Sequence, residues 1–327
     1  MAQKNESKIL GMERDTFRSL MGKYGVSIVM LVMIIVIGIV ESRFLSPTNL
    51  INVATQITVN GMLAFGMCMA ITTGGIDLTV GAQVALGGMV LAIANVKGGM
   101  PLGVGIILAL LATTAFGFIN GFLISKFNMF PFVVTLSMQL VIRGVALVLS
   151  GGQGIQLGND IAQLYYYNVF GVIPLPIVIY IVIFVLMYLM FHWTKLGRYI
   201  LAVGGNPNAA LASGVNVFRI KVYAYAISGF LAGVASLLLV AKTGNAKSNI
   251  GEGYETDAVA ACVIGGTSFA GGIATMPGVV IGTFIVGFIY NGINMIGVNA
   301  NFQSIIRGLV IILTVMLDMA INGRNRK

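Results

Sequence analysis

Between Arg43 and Lys97 the chain carries a single charged residue, Asp77. This long, nearly charge-free stretch most limits what the chain can fold into. Backbone inside a hydrocarbon layer has to satisfy its own hydrogen bonds, so continuous apolar runs of this length form helices. Asp77 lies in Gly74-Gly75-Ile76-Asp77-Leu78-Thr79-Val80-Gly81, a glycine-rich break between two such runs. A charge there is costly unless the backbone turns at a membrane surface or lines a polar cavity.

Only 9% of the 327 residues are charged and 57% are hydrophobic, against about 25% charged in a soluble domain. The chain has too little charge to clothe a water-facing surface. The fold class is therefore all-α and polytopic, a membrane protein. Continuous rather than alternating apolar runs argue against a β-barrel. The 43 glycines suit helices that approach one another closely. A span needs about 20 apolar residues, which gives ten spans, near 24–40, 53–71, 80–95, 101–123, 131–149, 174–192, 222–241, 255–271, 276–295 and 303–321. The third and eighth are short and glycine-rich, as broken or re-entrant segments are. Residues 1–23 read as a polar cytoplasmic segment with no cleavable signal, 24–321 as one transmembrane domain, and 322–327 as a basic tail.

Positive charge orients the chain. With the N-terminus in the cytoplasm, thirteen Lys and Arg fall inside and four outside (Arg43, Lys97, Lys242, Lys247), with Arg143 and Arg307 within spans. This asymmetry favours ten spans with both termini inside. It also assigns the net charge of +9 to membrane orientation rather than to nucleic acid. In this topology 72–79 faces or re-enters from the cytoplasm. Residues 150–173, with Tyr165-Tyr166-Tyr167, form the longest external loop. Residues 193–221 form the longest cytoplasmic one.

That cytoplasmic loop contains Asn206-Pro207-Asn208-Ala209-Ala210-Leu211-Ala212-Ser213-Gly214. Asn206 suits an N-cap and Pro207 the first helical position. The alanines favour helix and Gly214 a stop. A two-turn helix between glycine hinges is predicted, too short to be stable alone. It rests on its own protein or is gripped by a cytoplasmic partner.

Several separated motifs, in order, resemble one family. They are Gly75-Ile-Asp-Leu-Thr-Val-Gly81, Leu196-Gly-Arg-Tyr-Ile200 with Gly204-Gly-Asn-Pro207 and Ser213-Gly-Val-Asn216, Gly253-Tyr-Glu-Thr-Asp-Ala-Val-Ala260 with Gly265-Gly-Thr-Ser268, and Asn291-Gly-Ile-Asn294. Together they are similar to the permease subunits of bacterial ABC sugar importers of the ribose and galactoside type, over about residues 45–320. The resemblance implies a homodimer in the bacterial inner membrane, a cytoplasmic ATPase with two nucleotide-binding domains, and a periplasmic sugar-binding protein. The 206–214 helix becomes the element that couples to the ATPase, with Arg198, Asn206, Pro207, Ala210, Leu211 and Gly214 as its residues. The chain itself has no phosphate-binding loop, since Gly22-Lys23 lacks both the upstream glycine and the following Ser or Thr. No catalytic residue, metal site or cofactor is expected in this chain; ATP and Mg belong to the partner.

Asp77 has two readings, a turn residue accepting backbone N–H groups and a gate at the cytoplasmic mouth. Glu252, Glu255 and Asp257 lie near the external start of the eighth span. They read either as acids at a helix N-terminus or as contacts to a binding protein or a sugar. Asn60, Asn120, Gln139, Asn291, Asn294 and Gln303 offer donors and acceptors without charge. They serve an uncharged pathway or bond between helices. Arg143 and Arg307 read as snorkelling side chains. Cys68 and Cys262 read as small buried hydrophobes. The rival functions are an ABC permease for a signalling sugar, nucleoside or amino acid, and an ion-coupled carrier. The carrier is disfavoured because no second acid or His accompanies Asp77 in the neighbouring spans.

Overall fold

The computed structural model describes residues 34–297 together with Leu31, Phe302, Ile305, Gly308, Leu309, Ile312 and Met316. The segment 1–23, most of the first span, most of the tenth span with Gln303 and Arg307, and the basic tail lie outside the described residues.

Helix α1 (Pro47–Thr72) starts ahead of the expected span at 53–71. The Ser46 side chain accepts the Asn49 N–H and Pro47 takes the first helical position. After the Asp77 break come α2 (Val80–Ala92), which runs into a π-type turn at Ile93–Lys97, then α3 (Leu102–Lys126) and α4 (Pro131–Ser150). A small cap follows, built from β1 (Ile155–Gln156), α5 (Asn159–Tyr166) and the hairpin of β2 (Asn168–Val169) with β3 (Ile173–Pro174). Helices α6 (Leu175–Trp193), α7 (Lys195–Gly205), α8 (Pro207–Ala212) and α9 (Val217–Thr243) come next. Strand β4 (Asn245–Ala246) pairs antiparallel with β1, Ile155 opposite Ala246. Helices α10 (Tyr254–Ile264) and α11 (Met276–Met295) complete the described elements. The strands and α5 mark one end of the molecule and α8 the other.

Among the described residues seven helices are long and apolar enough to cross a membrane: α1, α2 with its π-type turn, α3, α4, α6, α9 and α11. Helix α10 is not among them. Its 11 residues rise only about 16 Å, roughly half of a 30 Å hydrocarbon core. The expected eighth span at 255–271 is corrected accordingly. Gly265 ends the helix, and Gly266, Gly271 and Gly272 have φ of 85°, 82° and 75°, a conformation that no helix can continue.

The non-helical segments 73–79 and 244–253 both reach into the bundle, from opposite ends. Asp77 meets Ser228, near the middle of the 27-residue α9. Gly251 backs onto Gly81, where a Cβ on Gly251 would stand 2.8 Å from the Gly81 carbonyl. Helices α2 and α10 therefore begin inside the molecule with their N-termini together. The Asp77 segment is re-entrant rather than superficial.

Helix α9 is the hub, packed on α3, α1 and α2. Where it crosses α3, a Cβ on Gly117 would come within 2.3 Å of the Tyr225 carbonyl. Without a hydrophobic driving force between helices in lipid, such close approach supplies dispersion contact instead. Helices α3, α4 and α6 wrap this centre and expose apolar side chains such as Leu111, Leu140 and Val182, a surface suited to lipid. Arg143 does not snorkel. Its Nη1 donates to the carbonyls of Ser248 (2.9 Å) and Ile250 (3.4 Å), because irregular buried backbone needs donors that helix geometry would otherwise provide.

Candidate coupling, gating and pathway sites

The α8 region forms as its residues direct. The Asn206 side chain accepts the Ala209 N–H at 3.0 Å, Pro207 follows it, and Gly214 closes the turn at φ 81°. Leu211 is 63% exposed, and Arg198, Asn206, Pro207 and Gly214 are also exposed. Ala210 is 5% exposed and belongs to the protein's own core, so it faces inward and not toward a partner. The preceding residues 195–205 form the amphipathic helix α7, capped by Thr194, and not an open loop.

Immediately before α8 the backbone meets two other segments. The Gly272 N–H donates to the Thr72 carbonyl at 2.9 Å, tying the loop after α10 to the last residue of α1. Gly204 lies against this bond: a Cβ there would fall 1.7 Å from the Thr72 oxygen and 2.5 Å from the Gly272 nitrogen. A Cβ on Gly272 would in turn fall 2.7 Å from the Gly205 Cα. Three chain segments thus touch backbone to backbone, leaving no side chain to absorb a displacement. The Gly204-Gly205 and Gly271-Gly272 pairs were visible in the sequence, but nothing there said that they meet.

Asp77 is fully buried. Its Oδ1 accepts from the Thr79 N–H at 3.1 Å and from the Thr79 hydroxyl, and its Oδ2 accepts from the Ser228 hydroxyl at 2.7 Å. The Thr79 hydroxyl also accepts from Gln83 (2.7 Å) and Asn120 (2.9 Å). All five residues are 0% exposed. The network pins the re-entrant segment to α2, α3 and α9, a turn residue's role reached through partners from three helices. Sequence reasoning missed Ser228, because its pairing with Asp77 spans |i−j| = 151.

At the facing N-terminus, Glu255 and Asp257 are 8% and 2% exposed. Glu255 Oε1 accepts from Gln139 at 3.2 Å and Asp257 Oδ1 from the Tyr290 hydroxyl at 2.7 Å. The idea that these two acids touch a docking protein is corrected by their burial. Glu252, the third acid, is exposed. Glu255 Oε2 rests on Gly81, where a Cβ would be 2.2 Å away.

The candidate pathway amides do not share one place. Asn120 belongs to the Asp77 network and Gln139 to Glu255. Asn291 exchanges hydrogen bonds with Asn49 at 2.9 and 3.1 Å, and Asn294 is exposed at the end of α11. Asn60 borders an open-mouthed cavity of about 120 Å³ between α1, α9, α10 and α11. Gln56, Lys242, Tyr254 and Tyr290 share its wall. Cys68 and Cys262 are buried free thiols, and Cys262 Sγ donates to the Ala64 carbonyl at 3.1 Å.

Residues 49–315 match the family described as branched-chain amino acid transport system / permease component. The ribose import permease protein RbsC of Bacillus subtilis (strain 168) is 39% identical over 308 residues, 94% of this chain and 95% of that one. The RbsC of Escherichia coli (strain K12) is 39% identical over 298 residues, 89% of this chain and 92% of that one. The galactose/methyl galactoside import permease protein MglC of the same strain is 34% identical over 325 residues, 94% and 97% of the two chains. No solved structure matches. The apolar helices, the re-entrant segments and the extent of these matches agree: the chain is a multi-pass membrane transport subunit that belongs to this family of permease components.

Proposed function

We propose that this chain is the membrane-spanning subunit of an ATP-driven importer that carries a neutral monosaccharide, ribose- or galactose-like, across a bacterial inner membrane. In this reading two copies form the pore. A separate cytoplasmic ATPase binds ATP and Mg, and a periplasmic protein delivers the sugar. The α8 end is cytoplasmic, and the ATPase holds α8 through exposed residues such as Leu211.

The observation that carries the neutral cargo is what fills the two internal helix N-termini. A helix N-terminus attracts anions and would hold the carboxylate of an amino acid. Here Asp77 occupies the approach to α2, and Glu255 and Asp257 sit in the first turn of α10. The protein's own carboxylates take the place a cargo carboxylate would need. The family is named for branched-chain amino acid transport, and this arrangement counters that cargo here. The sugar-importing relatives support the same choice.

Coupling follows from the backbone junction. ATP binding shifts α8, and the Gly204, Thr72 and Gly272 contacts pass the shift to the inner ends of α1 and α10. Those two helices close the bundle below Asn60, through Ala64 with Cys262 and through Cys68 near Thr267. The partner ATPase can drive this only by binding the two permease states with different affinity. Uptake of labelled ribose, allose and galactose into vesicles, with and without the ATPase, tests the reading. Entry driven by an ion gradient with no ATPase would overturn it.

A further inference from the structure

The cavity beside Asn60 has features that the coupling and gating residues do not use. It lies toward the α5 end, next to the last turns of α9, and opens to the surface. Gln56 and Asn60 stand one helical turn apart on α1, so they present two amides on one face. Asn60 Oδ1 is enclosed and has no hydrogen bond among the described residues. Tyr254 and Tyr290 supply flat, amphipathic rings to the same wall. The one cation there, Lys242, has its Nζ 5.9 Å from the centre of the Tyr165 ring, at the rim. Below Asn60 the seam between α1 and α10 is packed shut, with Met62, Leu63, Ala64 and Cys262 at most 1% exposed.

We propose that this cavity is a stopping place for the sugar within the permease. The amides of Gln56 and Asn60 hydrogen-bond to its hydroxyls, and the tyrosine rings lie against its C–H face. The pocket holds the sugar above the closed α1–α10 seam until the seam opens. This rests on the sugar-importer reading and deepens it by naming where the cargo is read inside the membrane subunit.

The test uses the assembled transporter in proteoliposomes with its ATPase and loaded binding protein, and D-ribose, D-allose and D-galactose as cargoes. At saturating loaded binding protein, Asn60→Leu and Gln56→Leu are expected to lower sugar uptake roughly tenfold, the order that one well-made hydrogen bond supplies. Binding-protein-stimulated ATP hydrolysis stays within about twofold of the parent, because neither residue touches the α8 junction. A second measurement does not depend on turnover. Cys68 and Cys262 are buried, so the thiol introduced by Gln56→Cys is the accessible one, and loading with sugar is expected to slow its alkylation. Wild-type-like uptake in both leucine variants, or alkylation that sugar leaves unchanged, overturns the cavity proposal while the importer reading stands. Failure of the parent complex to move any of the three sugars overturns the importer reading, and this proposal with it.

Discussion

Replacing Gly204 by alanine, with Gly205→Ala as its twin, isolates the junction. The added Cβ at 204 would lie 1.7 Å from the Thr72 carbonyl oxygen and 2.5 Å from the Gly272 nitrogen. Non-bonded atoms settle at roughly 3.5–4.0 Å, so the end of α1 has to retreat by well over 1 Å. Thr72 and Gly272 are joined by the 2.9 Å hydrogen bond at that spot. Overpacking costs about 1–3 kcal/mol, and a buried hydrogen bond left unmade costs about 1–3 kcal/mol more. Alanine's better helix propensity returns up to about 1 kcal/mol, leaving a net loss of about 1–6 kcal/mol. A Cβ on Gly205 meets nothing within 4 Å, so Gly205→Ala is expected to be neutral or slightly stabilising. The measurements are thermal unfolding of the purified complex, and sugar uptake per ATP hydrolysed in proteoliposomes. Gly204→Ala should melt lower and lose most of its uptake, with ATP hydrolysis less affected than transport. Equal behaviour of the two variants in both assays would refute the idea that this backbone contact transmits motion.

Three other outcomes follow from the same geometry. Asp77→Ala strands the Ser228 hydroxyl and the Thr79 N–H in a fully buried site and should destabilise by about 1–3 kcal/mol for each stranded donor. Its abundance in the membrane should fall along with uptake, and normal abundance with no uptake would instead make Asp77 a gate. Gly81→Ala drives a methyl against Glu255 Oε2 at 2.2 Å and the Gly251 carbonyl at 2.4 Å; it should impair assembly, as read by size-exclusion profile and uptake, and a fully active variant would contradict the meeting of the two helix N-termini. A cysteine crosslinker attached through Leu211→Cys should capture the co-expressed ATPase, whereas one attached through Ala210→Cys should not, since Ala210 faces inward.

The sequence by itself determined the solvent and the helical class of the fold. Scarce charge and long apolar runs admit membrane helices, and local chemistry placed the short α8, because Asn206, Pro207 and Gly214 act within a turn of where they stand. It also marked 74–81 as a break, because a lone acid among glycines is costly in any continuous helix. What it did not contain was depth. The segments 73–79 and 244–253 enter the bundle because α9 offers Ser228 to one, and Arg143 on α4 offers hydrogen bonds to the other. The shortening of α10 from a span to a half-length helix depends on the space its glycine loop finds against Gly204 and Thr72. The amides show the same division. Their types announced an uncharged pathway, yet tertiary packing sent Asn120 to Thr79, Gln139 to Glu255 and Asn291 to Asn49, and left Asn60 beside a cavity. Hydrogen bonds and backbone contacts between residues a hundred or more positions apart have no local signature, so only the assembled fold decided which polar groups hold the protein together and which border open space.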